Sequence, residues 1–229
     1  MANKAYNKKE EKNRPTSKRS AHTHAQSTKK PENRAAAYRA SGVRRELNPG
    51  TLLGPLPAVM VTCGSMEESD IVTVAWTGIT STKPPTLYIS LRPERHSHGL
   101  IKESGEFVVN LVPSSMAKAC DWCGMYSGRD RDKFADCPTK LTKCASKTVS
   151  CPTLAESPLA LECKVISVTP LGSHDMFLAS IRCMTVDESL VDENGRLCLE
   201  RAKPLAFHHG EYYASGEKVG EFGFAVRKK

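Results

Sequence analysis

Ala58-Val-Met-Val-Thr-Cys63, a polar break from Ser65 to Ser69, and Ile71-Val-Thr-Val-Ala-Trp76 read together as two β-branched runs joined by a turn, which is the pattern of a hairpin. Working outward, the Pro84-Pro85 break is followed by Thr86-Leu-Tyr-Ile-Ser-Leu91, and Ser104-Gly105 by Glu106-Phe-Val-Val-Asn-Leu111, two more short strands with their stop signals. Leu159, Leu161, Cys163 and Val165 alternate with Glu162 and Lys164, and Phe177, Ala179, Ile181 and Cys183 alternate with Ser180 and Arg182, the period of half-buried strands with the polar residues turned to solvent. Helices are few: His98 to Glu103, with Ser97 at the N-cap, and Pro113 to Cys123, with proline in the first turn. Many short strands and no regular strand–helix alternation predict a mainly β, antiparallel barrel rather than a parallel α/β sheet.

The charge is unevenly distributed. The whole chain of 229 residues carries +8, but residues 1–45 hold thirteen lysines and arginines against three acids, and the remainder is −2. The basic character therefore belongs to a tail, with so few large apolar residues that it is expected to be disordered, and a basic, nucleic-acid-binding body is excluded. Nucleic acid is expected to bind, if anywhere, through that tail. The domain plan is an extension over 1–45 and one folded domain over 46–229, opening at Leu47-Asn48-Pro49-Gly50. No apolar run approaches the roughly 18 residues of a membrane span, and the first twenty residues have no apolar stretch for a signal peptide, so a cytoplasmic protein without membrane contact is expected. Nine cysteines fit reduced thiols better than a disulfide framework.

Several chemistries lack their motifs. The chain has no G-x-G-x-x-G, no P-loop and no G-x-S-x-G elbow, and the contiguous Ser173-His174-Asp175 is no triad evidence, since triad members meet in space. Cys120-Asp-Trp-Cys123, followed by Cys137, Cys144 and Cys151, lacks the second C-x-x-C of a structural zinc site, so buried or free thiols are expected and no metal.

Asp70-Ile-Val-Thr-Val-Ala-Trp-Thr-Gly-Ile-Thr-Ser-Thr-Lys-Pro-Pro85, Glu106 to Leu111, Ser127-Gly-Arg-Asp-Arg-Asp-Lys-Phe134, Leu171-Gly-Ser-His-Asp-Met-Phe177, Gly210-Glu-Tyr-Tyr213 and Gly220 to Lys229, in this order, resemble the flavoredoxin and flavin-reductase family from Asn48 onward. The resemblance implies a six-stranded split β-barrel, a homodimer with FMN near the interface, and flavin contacts at Asp70, Trp76, Ser97, Lys133, His174 and Phe207. It also implies a loop, Thr77, Gly78, Ile79, Thr80, Ser81, Thr82 and Lys83, running beside the flavin ring. The residue types suit those roles. Ser97 and the helix start behind it offer donors and a favourable dipole to a phosphate, Lys133, Arg92 and Arg95 offer charge, and Trp76 and Phe207 can wall an apolar ring. Relatives usually have Asn at Asp70 and Thr at Ser97; a carboxylate facing the ring would disfavour an anionic reduced flavin.

The function implied is an FMN-dependent oxidoreductase taking hydride from NADH or NADPH and passing electrons to free flavin, a redox partner protein or a small molecule, with the chemistry on FMN and no catalytic side chain. The alternative is an FMN-binding electron carrier or redox sensor that does not react with nicotinamide.

Overall fold

A computed structural model describes residues 38–227, so the expected disordered extension falls mostly outside the described residues. The chain divides at Asn48 and Pro49 into two units, the first described only from Tyr38 and without regular structure in its described residues. The second contains all the regular structure, in the order β1 (Leu56–Pro57), β2 (Val59–Gly64), β3 (Ser69–Val74), β4 (Thr77–Thr82), β5 (Pro85–Leu91), α1 (His96–Ser104), β6 (Glu106–Leu111), α2 (Ala117–Met125), α3 (Lys133–Asp136), β7 (Lys143–Cys144), β8 (Thr153–Leu154), β9 (Leu159–Pro170), β10 (Asp175–Val186), β11 (Leu205–His208) and β12 (Glu211–Ala214). No helix among the described residues is long and apolar enough to cross a membrane.

The main sheet is antiparallel, with strand order β3-β2-β6-β9-β10-β5-β4. It has seven strands rather than the six expected, because Thr77–Thr82 is an edge strand paired with β5 and not a loop. The β-branched residues Thr77, Ile79, Thr80 and Thr82 suit the pleat, and Thr77 Oγ1 donates to the Tyr88 carbonyl at 2.6 Å. The sheet curls so that the chain just after β3 meets β5: Ser90 N–H donates to the Trp76 carbonyl at 2.8 Å. The split of the barrel lies along this line.

The hairpin that decides the fold is present as β2 and β3, in the register Val59↔Val74 to Gly64↔Ser69. Val59, Val61, Cys63, Val72 and Val74 point into the barrel with Leu87, Ile89, Phe107 and Phe177. Ala58, Met60 and Ile71 face the other way, into a second core with α2 and Leu205. Both faces of β2 are therefore covered, which is why its sequence is a continuous apolar run rather than an alternating one. Cys120, Cys123 and Cys137 belong to this second core as small apolar side chains; burial pushes the Cys120 thiol up to about 12 and raises Cys123 as well.

Three local expectations need correction. Helix α1 begins at His96 with Arg95 as its N-cap, so Ser97 lies inside the first turn and its hydroxyl is used elsewhere. Pro113 precedes a short 3₁₀ turn, Ser114–Met116, and the α-helix proper starts at Ala117. Glu162 is wholly buried rather than solvent-facing: the segment after β7 folds over it, and its carboxylate accepts from the Lys147 N–H at 2.9 Å, the Thr148 N–H at 2.6 Å and the Thr148 hydroxyl at 2.7 Å. A carboxylate so provided with donors can be buried where an isolated one could not.

Candidate functional site

Two cavities meet at the split of the barrel and share Val72, Arg92 and Arg95. Strand β3 lies along both. Asp70 and Val72 border the second cavity, and Val72 to Val74, with Ala75 and Trp76 beyond the strand, border the first.

The first cavity, of about 330 Å³, is bordered by Trp76, Phe207 and Tyr212. Trp76, 37% exposed, stands at its edge, parallel to the His174 ring within 7° at 6.5 Å. Phe207 closes another side, edge-on to Tyr212 at 5.5 Å. Tyr212 donates to Asp121 Oδ1 at 3.2 Å, and burial, reinforced by nearby Cys120 and Asp121, raises its phenol well above the usual value. Such a chamber, with aromatic walls and a few polar groups, suits a flat heteroaromatic ring.

The second cavity, of about 410 Å³, is built for an anion. Arg92, Arg95 and Arg129 line it, together with the N-terminal turn of α1 at His96 and Ser97. Arg95 is steadied by donation to the Gly124 carbonyl at 3.0 Å, and Arg129 by donation to the Glu94 carbonyl at 2.8 Å. Guanidinium groups at the positive end of a helix offer the paired donors and charge a phosphate requires.

Beneath them lies a buried ionic cluster. Asp70 and Lys133 are each 3% exposed, with Nζ 3.2 Å from Asp70 Oδ1. The ammonium directs its hydrogen bonds elsewhere, to the Ile71 carbonyl at 2.5 Å and the Cys123 carbonyl at 3.2 Å. Ser97 Oγ donates to Asp70 Oδ2 at 2.5 Å. Asp70 Oδ1, close to a positive charge but off its hydrogen-bond direction, receives no hydrogen bond.

Of the residues expected from the sequence, Trp76, His174 and Phe207 come together in the first cavity, Asp70, Ser97 and Lys133 in the second, and Arg92 and Arg95 at the junction. Thr77, Gly78, Ile79, Thr80, Ser81, Thr82 and Lys83 border neither. Two roles change. Asp70 stands at the anion end, not beside the ring chamber, and Ser97 has given its only hydroxyl proton to Asp70, leaving none for a phosphate. Arg129, Asp121 and Tyr212 carry no role in the sequence reading. Their only signal there was position within Ser127 to Phe134 and Gly210 to Tyr213, or, for Asp121, within the cysteine pair.

The geometry fits a flavin mononucleotide: an aromatic chamber for the ring joined to an arginine-rich one for the phosphate, with a buried ion pair under the second. Comparisons with known proteins point the same way. Residues 54–216 match the family described as Flavin reductase like domain. The structure superposes on the flavoredoxin of Desulfovibrio vulgaris (Miyazaki F) with a TM-score of 0.73 and 30% identity, covering 80% of this chain and 99% of that one. An FMN-binding protein from Thermus thermophilus with bound 1-cyclohex-2-enone gives a TM-score of 0.65 and 25% identity over 81% of this chain and 98% of the other. By sequence, an NADPH-flavin oxidoreductase of Streptomyces viridifaciens is 24% identical over 169 residues, 74% of this chain and 79% of the relative.

Proposed function

The chain belongs to the flavin reductase-like domain family, and on that footing we propose that it binds FMN in the groove at the barrel split and uses it to move electrons from NADH or NADPH to an acceptor: free flavin, a partner protein or a small molecule. The observation that carries this reading is the continuity of the two cavities through Val72, Arg92 and Arg95, which joins an aromatic chamber to a guanidinium cluster in one groove.

When bound, FMN supplies the redox chemistry, accepting hydride at the ring and releasing electrons singly or in pairs. The protein's own part is to bind and orient. Trp76 and Phe207 border the ring chamber and offer it apolar walls. His174, with a 2.9 Å hydrogen bond between its Nδ1 and Ser173 Oγ in the plane of the ring, lies parallel to Trp76. Arg92, Arg95 and Arg129 hold the phosphate, and the Asp121–Tyr212 pair offers a polar edge to the ring chamber. No side chain in the groove need act as an acid or base. The sequence carries no G-x-G-x-x-G motif, so the nicotinamide would stack in the half-open ring chamber.

We also infer a homodimer. Ile79, 63% exposed on the edge strand β4 just beyond Trp76, supports a subunit contact beside the ring chamber, and such a contact would bring Thr77 to Lys83 near the flavin, from the same or the other subunit. Light scattering on the purified protein tests the mass.

An FMN-binding electron carrier without nicotinamide chemistry is the second reading, favoured by the similarity to a flavoredoxin. One experiment separates the two. The protein is loaded with FMN, its absorption spectrum recorded, and NADH and NADPH added separately without oxygen. Bleaching by either nucleotide supports the reductase, and reduction by dithionite alone supports the carrier. A protein that does not take up FMN ends both.

A further inference from the structure

The turn from Arg92 to Arg95, which carries two of the three guanidinium groups of the anion cavity, is clamped at its base by a pair of side chains that border neither cavity. His98 Nε2 lies 2.9 Å from Asp175 Oδ2, and the two side chains are 8% and 14% exposed. An ionised carboxylate only accepts, so the imidazole donates from Nε2. The two residues stand on opposite flanks of the turn. On one flank, Asp175 opens β10 and pairs with Leu91, the last residue of β5, immediately before Arg92. On the other, His98 lies in the first turn of α1, and its own N–H donates to the Arg95 carbonyl at 3.1 Å. Within the turn the Arg95 N–H donates to the Arg92 carbonyl, also at 3.1 Å. His98 thus holds the arginine turn through its backbone and β10 through its side chain. Packing alone does not call for a polar pair here: His98 meets Phe177 edge-on at 5.1 Å, and Phe177, Leu91 and Ile101 are barrel core. A buried hydrogen-bonded pair adds little stability over well-packed apolar side chains; what it adds is direction.

We propose that His98 and Asp175 are positioning residues for the phosphate: their bond sets the angle at which α1 leaves β5, and so the place where Arg92 and Arg95 present their guanidinium groups. This rests on the FMN reading above and goes beyond it, because phosphate recognition then depends on a bond outside the groove. Paired donors to a phosphate are sharply directional, so a small rotation of the turn costs hydrogen bonds there. The ring chamber is walled by Trp76 and Phe207, which stand outside the turn and its flanks. His174, next to Asp175, keeps its own contacts with Ser173 and Trp76. A flavin without phosphate therefore does not report on the clamp.

The test measures binding of FMN and of riboflavin, which has the ring and its hydroxylated chain without phosphate, to the full-length protein by fluorescence quenching. The readout is the ratio of the two affinities. In His98→Leu/Asp175→Leu, which replaces the pair by apolar side chains, the preference for FMN should fall by about fivefold with riboflavin unchanged, since only the directional grip on the phosphate is loosened. His98→Asn, too short to reach Asp175, should do the same and serves if the leucine pair does not fold; thermal melts show which variants are folded. His98→Gln, which keeps an N–H donor at similar reach, should keep the wild-type ratio. In an Arg92→Ala/Arg95→Ala background, breaking the pair should change FMN affinity by less than about twofold, because the groups it positions are gone. A folded variant that lacks the bond yet keeps the wild-type ratio overturns the proposal and leaves the pair a purely structural one. Equal weakening of both flavins, or a full loss that persists without the two arginines, overturns it as well. So does a wild-type protein that binds FMN no better than riboflavin, which has no phosphate grip to position. A wild-type protein that binds neither flavin overturns the FMN reading, and the proposal with it.

Discussion

At the ring end of the groove the key side chains are half-exposed and held by packing, Trp76 against His174 and Phe207 against Tyr212, whereas at the anion end the central pair is 3% exposed and held by charge. The difference separates two kinds of dependence. Ring-end residues can be cut back at little cost to the fold, so their loss should read out in binding alone. Asp70 and Lys133 are part of the core on which the fold depends, so there binding and stability are entangled.

The largest effect should come from breaking that entanglement on one side only. Lys133→Met leaves a carboxylate buried without its counter-charge, and should lower stability by about 3–5 kcal/mol, measured by urea unfolding. A loss below about 1 kcal/mol would mean that solvent reaches Asp70. Next, Arg95→Ala should weaken FMN by about tenfold while leaving riboflavin unchanged, since only the phosphate feels the guanidinium. Added salt should erode the FMN advantage in the same selective way. Equal losses for both flavins would place Arg95 outside the phosphate site. Smaller still, Trp76→Ala should weaken FMN and riboflavin by the same factor, about 0.5–1.5 kcal/mol, with an unchanged melting temperature. A drop in melting temperature would make Trp76 a core residue and blur the distinction between the two ends.

The smallest effect serves as a control away from both ends. Burial alone would raise the Glu106 carboxyl, but the Ser150 N–H at 2.7 Å and the Lys164 ammonium at 3.0 Å outweigh it and hold it below its usual 4.5. Its stabilising contribution is thus complete above the unfolded-state value and is lost as the pH falls through the lower folded-state value. Glu106→Gln should flatten the acid side of the stability profile below about pH 4.5 by well under 1 kcal/mol, with flavin binding at neutral pH unchanged. A shift in flavin affinity would show that the groove senses strand β6.

The strands were legible because a pleated strand imposes a period of two on the sequence, and β2, β3, β5, β6, β9 and β10 all carry it or the continuous apolar run of a strand covered on both faces. The same rule misplaced Glu162, since alternation shows which face a side chain takes and not whether a distant segment returns to cover it. At the site, resemblance supplied Trp76, Ser97, Lys133, His174 and Phe207, all of which line the groove. It could not supply hydrogen-bond direction. That Ser97 gives its proton to Asp70, or that Tyr212 reaches Asp121 from a hairpin near the end of the chain, follows from three-dimensional placement that local sequence does not encode.

Gly64 touches nothing in the groove, yet the groove's proportions depend on it. Its φ of +86° and the closeness of the Glu68 carbonyl leave no room for a side chain, and the tight turn it permits opposes Cys63 to Asp70 and Val59 to Val74. A slip of one residue in that pairing would send Asp70, Val72 and Val74 together to the opposite face of the sheet. Ligand specificity in this protein is therefore settled in part when a single hairpin closes. Sequence drift should be freer in the exposed residues around the groove's rim than in a turn well away from it.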